Sequence, residues 1–257
     1  MKLTPDHGTA IVTGAGSGLG RALAQQLTAQ GFTVAGMGRR KDALEETQAA
    51  CQGPGAFIPL TLDIAKTEDV QQAIDDLATN QPIAILINNA AVYPHRDFLD
   101  ETPQSFAQTM NINLGGVVNC SHAVLRHMTE TGRGRILNVA TFADLHPLPT
   151  AGAYSVSKGA ARILTRALIA DLADRFPSIC IGDWMPGMLR TGMGIPDGLP
   201  PETAAAWGAH LAQCCDPSLT GAVFEMDREI LPPRGLKGKL KDMVLMRRAK
   251  PRLIPNL

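Results

Sequence analysis

A glycine-rich turn near the N-terminus constrains this chain more than any other feature of its sequence. The apolar run 9–13 predicts a strand, residues 14–20 read Gly-Ala-Gly-Ser-Gly-Leu-Gly, and helical spacing of apolar side chains runs from 18 to 30. Glycines let the backbone approach a phosphate closely, and the first turn of a helix offers unpaired amides and the positive end of a dipole. The sequence therefore predicts a strand–turn–helix unit that binds nucleotide phosphates.

Strand-like and helical stretches alternate along the rest of the chain. Short apolar runs of strand length are separated by stretches with helical spacing. The predicted strands are 32–37, 56–62, 83–87, 135–139 and 179–184, and the predicted helices are 42–51, 68–79, 103–130 and 154–175. This alternation indicates an α/β fold, a doubly wound, Rossmann-like parallel sheet with helices on both faces.

We predict one domain and a tail. The chain has 257 residues, 45% of them hydrophobic, which suits a single domain of residues 1–231. Within it, the proline-containing stretch 188–202 predicts a mobile flap. Residues 232–257 carry eight basic side chains against one acid. This basic tail could dock on a neighbouring subunit, touch anionic lipid or be solvated.

The charge balance and the cysteines indicate which classes of partner and which cellular compartment to expect. Basic and acidic residues both number 24, which gives no argument for nucleic acid, and no apolar run reaches the roughly 18 residues of a membrane span. The five cysteines lack a Cys-x-x-Cys pair, so we expect buried free thiols and a reducing, cytoplasmic setting. The N-terminus has no apolar signal-peptide core. The histidines show no metal spacing, and we predict no metal.

Further motifs follow the glycine turn in a definite order. They are Asp63-Ile64, Asn88-Asn89-Ala90-Ala91, Asn113-Leu114, Thr141, Tyr154-x-x-x-Lys158, and Pro186-Gly187 with Thr191 behind. With the Thr-Gly-x-x-x-Gly-x-Gly turn, this series resembles the short-chain dehydrogenase/reductase family over residues 8–227. The resemblance implies hydride transfer between a nicotinamide cofactor and a carbonyl or secondary alcohol. The chain departs from the family pattern at Thr141 (usually Ser), Ala91 (usually Gly) and Gly182 (often Asn).

The resemblance also implies a set of residues that bind the cofactor. Asp63 is expected near the adenine, Lys158 on the nicotinamide ribose and Thr191 near the carboxamide. Asp63 could instead cap the next helix, and Thr191 could simply end a strand. The full set is Gly14, Gly16, Ser17, Gly18, Leu19, Gly20, Arg39, Arg40, Asp63, Ile64, Asn89, Ala90, Tyr154, Lys158, Pro186, Gly187 and Thr191.

The end of the second predicted strand indicates which form of the cofactor is bound. An acid at this point would hydrogen-bond the free ribose hydroxyls of NAD and repel the 2′-phosphate of NADP. Here Gly38 stands in that place, followed by Arg39 and Arg40, whose guanidinium groups can pair with phosphate. We therefore predict NADP(H), although the two arginines could also be solvated turn residues.

Four residues are the candidate catalytic group. Tyr154 and Lys158 are four apart on a predicted helix and share one face, and an ammonium beside the phenol would lower its pKa toward the working range. Thr141 offers a hydroxyl to the substrate oxygen. The resemblance implies that Asn113 sits in a helix distortion behind Lys158, with Asn111 as the competing candidate. Tyr154 as a helix cap and Lys158 as a solvated residue are the structural alternatives.

Substrate choice is expected from three loops, 92–98, 142–150 and 188–201. They are largely apolar, which predicts a small, largely apolar carbonyl or alcohol, with His95, Arg96 and His146 as polar exceptions that could bind an anion or hydroxyl. The resemblance also implies a homodimer or homotetramer. A non-catalytic NADP(H)-binding sensor on the same fold is the main alternative function. A methyltransferase is a weaker one, since the Tyr-x-x-x-Lys argues against it.

Overall fold

Within the part of the chain that the computed structural model describes, residues 1–231 and 250–254, eight strands form one sheet. They are β1 (Thr9–Thr13), β2 (Thr33–Gly38), β3 (Ala56–Thr61), β4 (Ile83–Asn88), β5 (Gly134–Val139), β6 (Ile179–Met185), β7 (Val223–Glu225) and β8 (Arg228–Ile230). Their spatial order is β3-β2-β1-β4-β5-β6-β7-β8. Neighbours from β3 to β7 pair in parallel, and β8 pairs antiparallel to β7.

Helices cover both faces of this sheet. They are α1 (Gly18–Ala29), α2 (Lys41–Ala50), α3 (Thr67–Ala78), α4 (Pro103–Met110), α5 (Gly116–Thr131), α6 (Gly152–Leu172) and α7 (Pro201–Gln213). One buried cluster joins the sheet to α1 and α7, and a second joins it to α3 and α5. The predicted single-domain, doubly wound α/β fold is confirmed.

The strand order reverses direction next to β1. From β1 the chain proceeds outward to β2 and β3, then returns to place β4 on the other side of β1 and proceeds outward again to β5 and β6. At such a switch point the connections leave in opposite directions, and a crevice opens beyond the carboxyl ends of the strands. The glycine turn after β1 and Asn89 after β4 both lie at this crevice.

Two parts of the fold differ from the sequence prediction. The predicted helix 103–130 is interrupted by a π-helical turn, Asn111–Gly115, between α4 and α5. The helix α7 and the strands β7 and β8 were not predicted. A Cβ on Gly208 would lie 2.6 Å from the Trp184 ring, so α7 needs small residues to pack closely. Its run of alanines therefore shows little apolar periodicity.

The predicted flap and tail are partly described. In the flap, Leu189 and Leu199 form a bridge, the amide of Arg190 donates to the Leu199 carbonyl over 2.8 Å, and α7 follows directly. Residues 232–249 and 255–257 of the basic tail lie outside the described residues. Its described part packs on β8, where Arg252 forms an ion pair with Glu229 at 2.6 Å and Ile254 is buried. None of the described helices is both long and apolar enough to cross a membrane.

Candidate active site

The glycine turn leaves no room for side chains on its inner side. Gly14 and Gly18 have φ angles of +69° and +50°, in the left-handed region that glycine adopts without strain. A Cβ on Gly20 would lie 2.1 Å from the carbonyl oxygen of Gly14. The turn and the first residues of α1 can therefore pack this tightly only with glycine at these positions, and their backbone stays open to the crevice.

Thr13 joins the glycine turn to the segment after β4. Its hydroxyl accepts hydrogen bonds from the amides of Asn89 and Ala90, each over 2.9 Å, and the Asn89 side chain donates to the Thr13 carbonyl over 2.9 Å. Each of these bonds crosses from β1 to the neighbouring strand end. They hold the two walls of the crevice at a set distance.

The crevice opens into a cavity of about 1060 Å³. Every residue that the sequence analysis assigned to cofactor binding lines it, and so does Thr141. Arg39 and Arg40 stand at the end of β2, exposed, and neither has an ion-pair partner among the described residues. Asp63 accepts a hydrogen bond from the Ala65 amide over 3.0 Å, which orients its carboxylate at the cavity wall. The volume is at the upper end of the range for ligand pockets.

Tyr154 is half-buried on the first turn of α6 and lines the same cavity as the two arginines. Burial raises the pKa of its phenol, a hydrogen bond from the Thr141 hydroxyl lowers that pKa, and the nearby Tyr93 and Asp144 raise it. The net direction is upward, so the phenol is protonated at neutral pH. A protonated phenol is a proton donor.

Lys158 reaches from α6 to the end of β5. Its ammonium donates to the carbonyl oxygen of Val139 over 2.8 Å, and burial lowers its pKa to about 8. Lys158 is not among the groups that shift the Tyr154 pKa here, and the lowering of that pKa by its ammonium stays a prediction. Lys158 nevertheless lines the same cavity, one helical turn after Tyr154.

Asn113 lies in the π-helical turn, buried, and does not line the cavity. Its side-chain amide donates to the Val92 carbonyl over 2.9 Å and to the Ser157 hydroxyl over 3.0 Å, and its oxygen accepts from the Val92 amide over 2.8 Å. The Ser157 hydroxyl in turn donates to the Tyr154 carbonyl over 2.7 Å. Asn113, rather than Asn111, therefore connects the segment after β4 to α6.

Three residues of the site were missed by the sequence analysis. The Tyr93 ring stacks on the Tyr154 ring with 4.4 Å between centroids and 21° between planes. Asp144 and Arg162 form a buried ion pair beside Thr141, with Arg162 Nε 2.5 Å from Asp144 Oδ2. One signal was available: Arg162 follows Tyr154 by eight residues, so it lies on the same inward face of α6.

The described part of the chain contains no candidate metal site. All five cysteines are free, four of them buried. Among the described residues, no three His, Cys, Asp or Glu side chains come together in a way that could hold a metal ion.

Comparison with known proteins places this geometry in a family. The family model for short chain dehydrogenases matches residues 8–198. The chain is 33% identical to carbonyl reductase [NADPH] 2 of Sus scrofa over 76% of its own length and 77% of that protein. It is 31% identical to L-xylulose reductase of Mus musculus, covering 77% and 78% of the two chains.

Solved structures agree in both fold and sequence. A short chain dehydrogenase from Bacillus anthracis superposes with a TM-score of 0.80 at 25% identity, over 88% of this chain and 96% of that one. A short chain dehydrogenase from Burkholderia cenocepacia in complex with NADP superposes with a TM-score of 0.78 at 26% identity, over 88% and 98%. The chain therefore belongs to the short-chain dehydrogenase/reductase family of oxidoreductases.

Proposed function

We propose that the protein is an NADP(H)-dependent oxidoreductase that interconverts a carbonyl and a secondary alcohol of a largely apolar organic compound. The observation that carries this proposal is that Tyr154, Thr141 and Lys158 line the same cavity as the glycine turn. The names of two relatives, a carbonyl reductase and an L-xylulose reductase, support carbonyl chemistry.

The cavity fits a nicotinamide dinucleotide. The glycine turn would hold the pyrophosphate against the N-terminus of α1, Asp63 would face the adenine end, and Thr191 would face the nicotinamide end. A Cβ on Gly18 would lie 3.2 Å from the Thr191 methyl, so the flap already reaches over the turn. When bound, the cofactor supplies or accepts the hydride.

The residues of the chain handle the proton. Tyr154 donates its phenolic proton to the carbonyl oxygen during reduction and accepts it back in the reverse direction. The Thr141 hydroxyl accepts from the Ala143 amide over 3.2 Å and hydrogen-bonds Tyr154, and it would turn its proton to the substrate oxygen when the substrate binds. Lys158 would contact the nicotinamide ribose, and Asn113 acts as a positioning residue through Ser157 and the Tyr154 carbonyl.

A preference for NADP(H) follows from Gly38, Arg39 and Arg40. The two exposed guanidinium groups line the cavity where a 2′-phosphate would lie, and Gly38 gives no carboxylate to repel it. The Burkholderia cenocepacia relative is in complex with NADP, and the Sus scrofa relative is named for NADPH, which supports this preference.

Absorbance at 340 nm tests the proposal. Consumption of NADPH, more slowly of NADH, with a panel of ketones and aldehydes is the expected result, and Tyr154→Phe should abolish it while NADPH still binds. Binding of NADPH without turnover by the wild type on a broad panel would favour the alternative, a sensor or scaffold that uses the same cavity. Absence of NADPH binding would overturn both the oxidoreductase proposal and the sensor alternative.

Assembly and location are expected from the same reasoning. A homodimer or homotetramer through α5 and α6 would bury side chains such as Val118 and Ile163, which are 42% and 57% exposed. The five free cysteines suit a reducing compartment such as the cytoplasm.

A further inference from the structure

The entrance of the cavity carries apolar side chains that remain in contact with solvent. Leu148 precedes α6, and Met188, Met193 and Ile195 belong to the flap. All four line the cavity and yet are 47%, 56%, 42% and 39% exposed. We call these four residues the rim. Side chains that both line a cavity and face solvent stand at its mouth.

The rim is part of a wider apolar surface. Seven of the fourteen exposed large hydrophobic side chains in the described residues lie on the three loops around the cavity or next to them, and the seven include Phe98 at 73% and Leu145 at 59%. Single exposed hydrophobic residues are common and need no explanation, whereas concentrations of them mark sites where a ligand or partner binds. Four of these seven, the rim residues, line the cavity that holds Tyr154.

Polar side chains such as His95 and Gln108 line the cavity, but the four rim side chains are all apolar. Arg96, one of the predicted anion-binding candidates, is paired with Glu101 at 2.7 Å. Ser105 accepts a hydrogen bond from the amide of Thr102 over 3.0 Å. The inner wall beside Tyr154 is the aromatic ring of Tyr93. A polyol laid across the rim would find no hydrogen-bonding side chain among these four residues, at a cost in binding for each hydroxyl removed from water.

We propose that the substrate carries an extended apolar group, such as an alkyl chain, that leaves the cavity across the rim while its carbonyl lies at Tyr154. This inference rests on the proposed function and deepens it by adding length to the predicted small apolar substrate. The rim removes the group from water, so each methylene laid against it should increase binding about fourfold. The preference for such a substrate would distinguish this protein from a reductase of sugars.

A series of straight-chain methyl ketones from four to eleven carbons tests the proposal. With NADPH saturating, kcat/KM should rise about threefold to fourfold per methylene until the chain passes the rim, and then level off. In Met188→Ser and Ile195→Ser the rise per methylene should be at least halved. Ile230→Ser, which changes a 40% exposed side chain on β8 outside the cavity lining, should leave the rise unchanged.

The outcomes separate this inference from the proposed function. Turnover that does not depend on chain length, or a dependence that survives both rim substitutions, would overturn the inference and leave the oxidoreductase proposal standing. If NADPH binds and no ketone is reduced, the proposed function falls and the inference with it. A change of oligomeric mass in the rim variants would show that the rim is a subunit contact, which also overturns the inference.

Discussion

Arg162 donates a hydrogen bond from Nη2 to the carbonyl oxygen of Thr141 over 2.8 Å, and the same guanidinium holds both carboxylate oxygens of Asp144, at 2.5 and 2.9 Å. Thr141 caps the short 3-10 turn Phe142–Asp144, so the guanidinium holds the residue before this turn and the last residue within it. Because the cation comes from α6, it ties the backbone of Thr141 to the helix that carries Tyr154. Arg162 is therefore a positioning residue for the pair that handles the proton.

Replacement of Arg162 should impair the proton step and leave cofactor binding intact. In Arg162→Met, Asp144 is buried without its cation, and its negative charge raises the Tyr154 pKa further while Thr141 is free to move. We expect kcat to fall by about a hundredfold, the cost of a misplaced catalytic group, with KM for NADPH unchanged. The alkaline limb of the pH profile for reduction should move to higher pH.

The double variant Asp144→Asn/Arg162→Met separates the loss of Thr141 positioning from the effect of the Asp144 charge on Tyr154. It removes the buried charge, so its pH profile should return to that of the wild type, while kcat should stay low because Thr141 is still not held. It also guards against misfolding, since breaking one side of a buried ion pair can cost about 3–5 kcal/mol of stability. A single variant that folds, judged by its unfolding transition, and keeps the wild-type kcat and pH profile would contradict the positioning role.

The cofactor preference should be reversible at the end of β2. A Cβ on Gly38 would lie 3.4 Å from Leu44, an ordinary contact, so an acidic side chain fits there. In Gly38→Asp/Arg39→Ala the carboxylate should bind the ribose hydroxyls of NADH and repel the 2′-phosphate of NADPH. We expect the ratio of kcat/KM for NADPH over NADH to fall at least 100-fold, measured at 340 nm.

Arg133→Asp provides the matched control for the cofactor experiment. Arg133 is exposed immediately before β5, at the opposite end of that strand from the cavity, so its replacement by Asp changes the net charge by the same two units without touching the site. It should leave the cofactor ratio as in the wild type. Equal ratios in Gly38→Asp/Arg39→Ala and the wild type would remove the basis for the NADP(H) assignment.

Asp183 should make the stability of the protein depend on pH. Burial in β6 raises its pKa from 3.8 to about 6, so the folded state keeps a proton that the unfolded chain has lost between these values. A buried acid with a raised pKa does not lower the free energy of unfolding below pH 4. Its destabilising effect grows as the pH rises to 6 and is complete above pH 6. The full effect is about 3 kcal/mol.

The variant Asp183→Asn tests this pH dependence. Its oxygen can still accept the 2.7 Å hydrogen bond from Thr165, but it carries no charge. The free energy of unfolding of the variant relative to wild type, from urea titrations, should increase by about 3 kcal/mol between pH 4 and pH 7. Asp42→Asn, on the exposed face at the start of α2, should show no such change. A pH-independent difference for Asp183→Asn would contradict the assignment.

The parts of the site that sequence could predict are those that depend on local spacing. The glycine turn can be predicted from the sequence because its backbone conformation requires glycine. Tyr154 and Lys158 can be predicted to share a face because they are one helical turn apart. Tyr93, by contrast, meets Tyr154 only after β4 and α6 have been packed together. No spacing along the chain encodes that stacking.

The directions in which side chains point could not be predicted from the sequence either. The spacing places Lys158 beside Tyr154 but does not say that its ammonium bonds the Val139 carbonyl on β5. The same holds for Asp144, which reads as a loop residue until Arg162 is seen to reach it from α6. For α7, close packing selected alanine and glycine, and this removed the apolar periodicity by which helices are recognised.

The outer face of α5 and α6 should be the contact between subunits. The groove between the two helices is lined by Val118, Leu125 and Leu168 among others and has a volume of about 470 Å³, and Ile163 is exposed nearby on α6.

Single charges at exposed positions cost a monomer little, so Val118→Asp/Ile163→Asp should fold yet fail to associate, because the pair would bury unpaired carboxylates. Light scattering should show the mass fall to that of one chain, whereas Ile230→Asp should keep the wild-type mass. A double variant that retains the wild-type mass would place the contact elsewhere, and a wild type that is already a single chain would remove the expectation of a dimer or tetramer. Since α6 carries Tyr154, loss of the contact should also lower kcat.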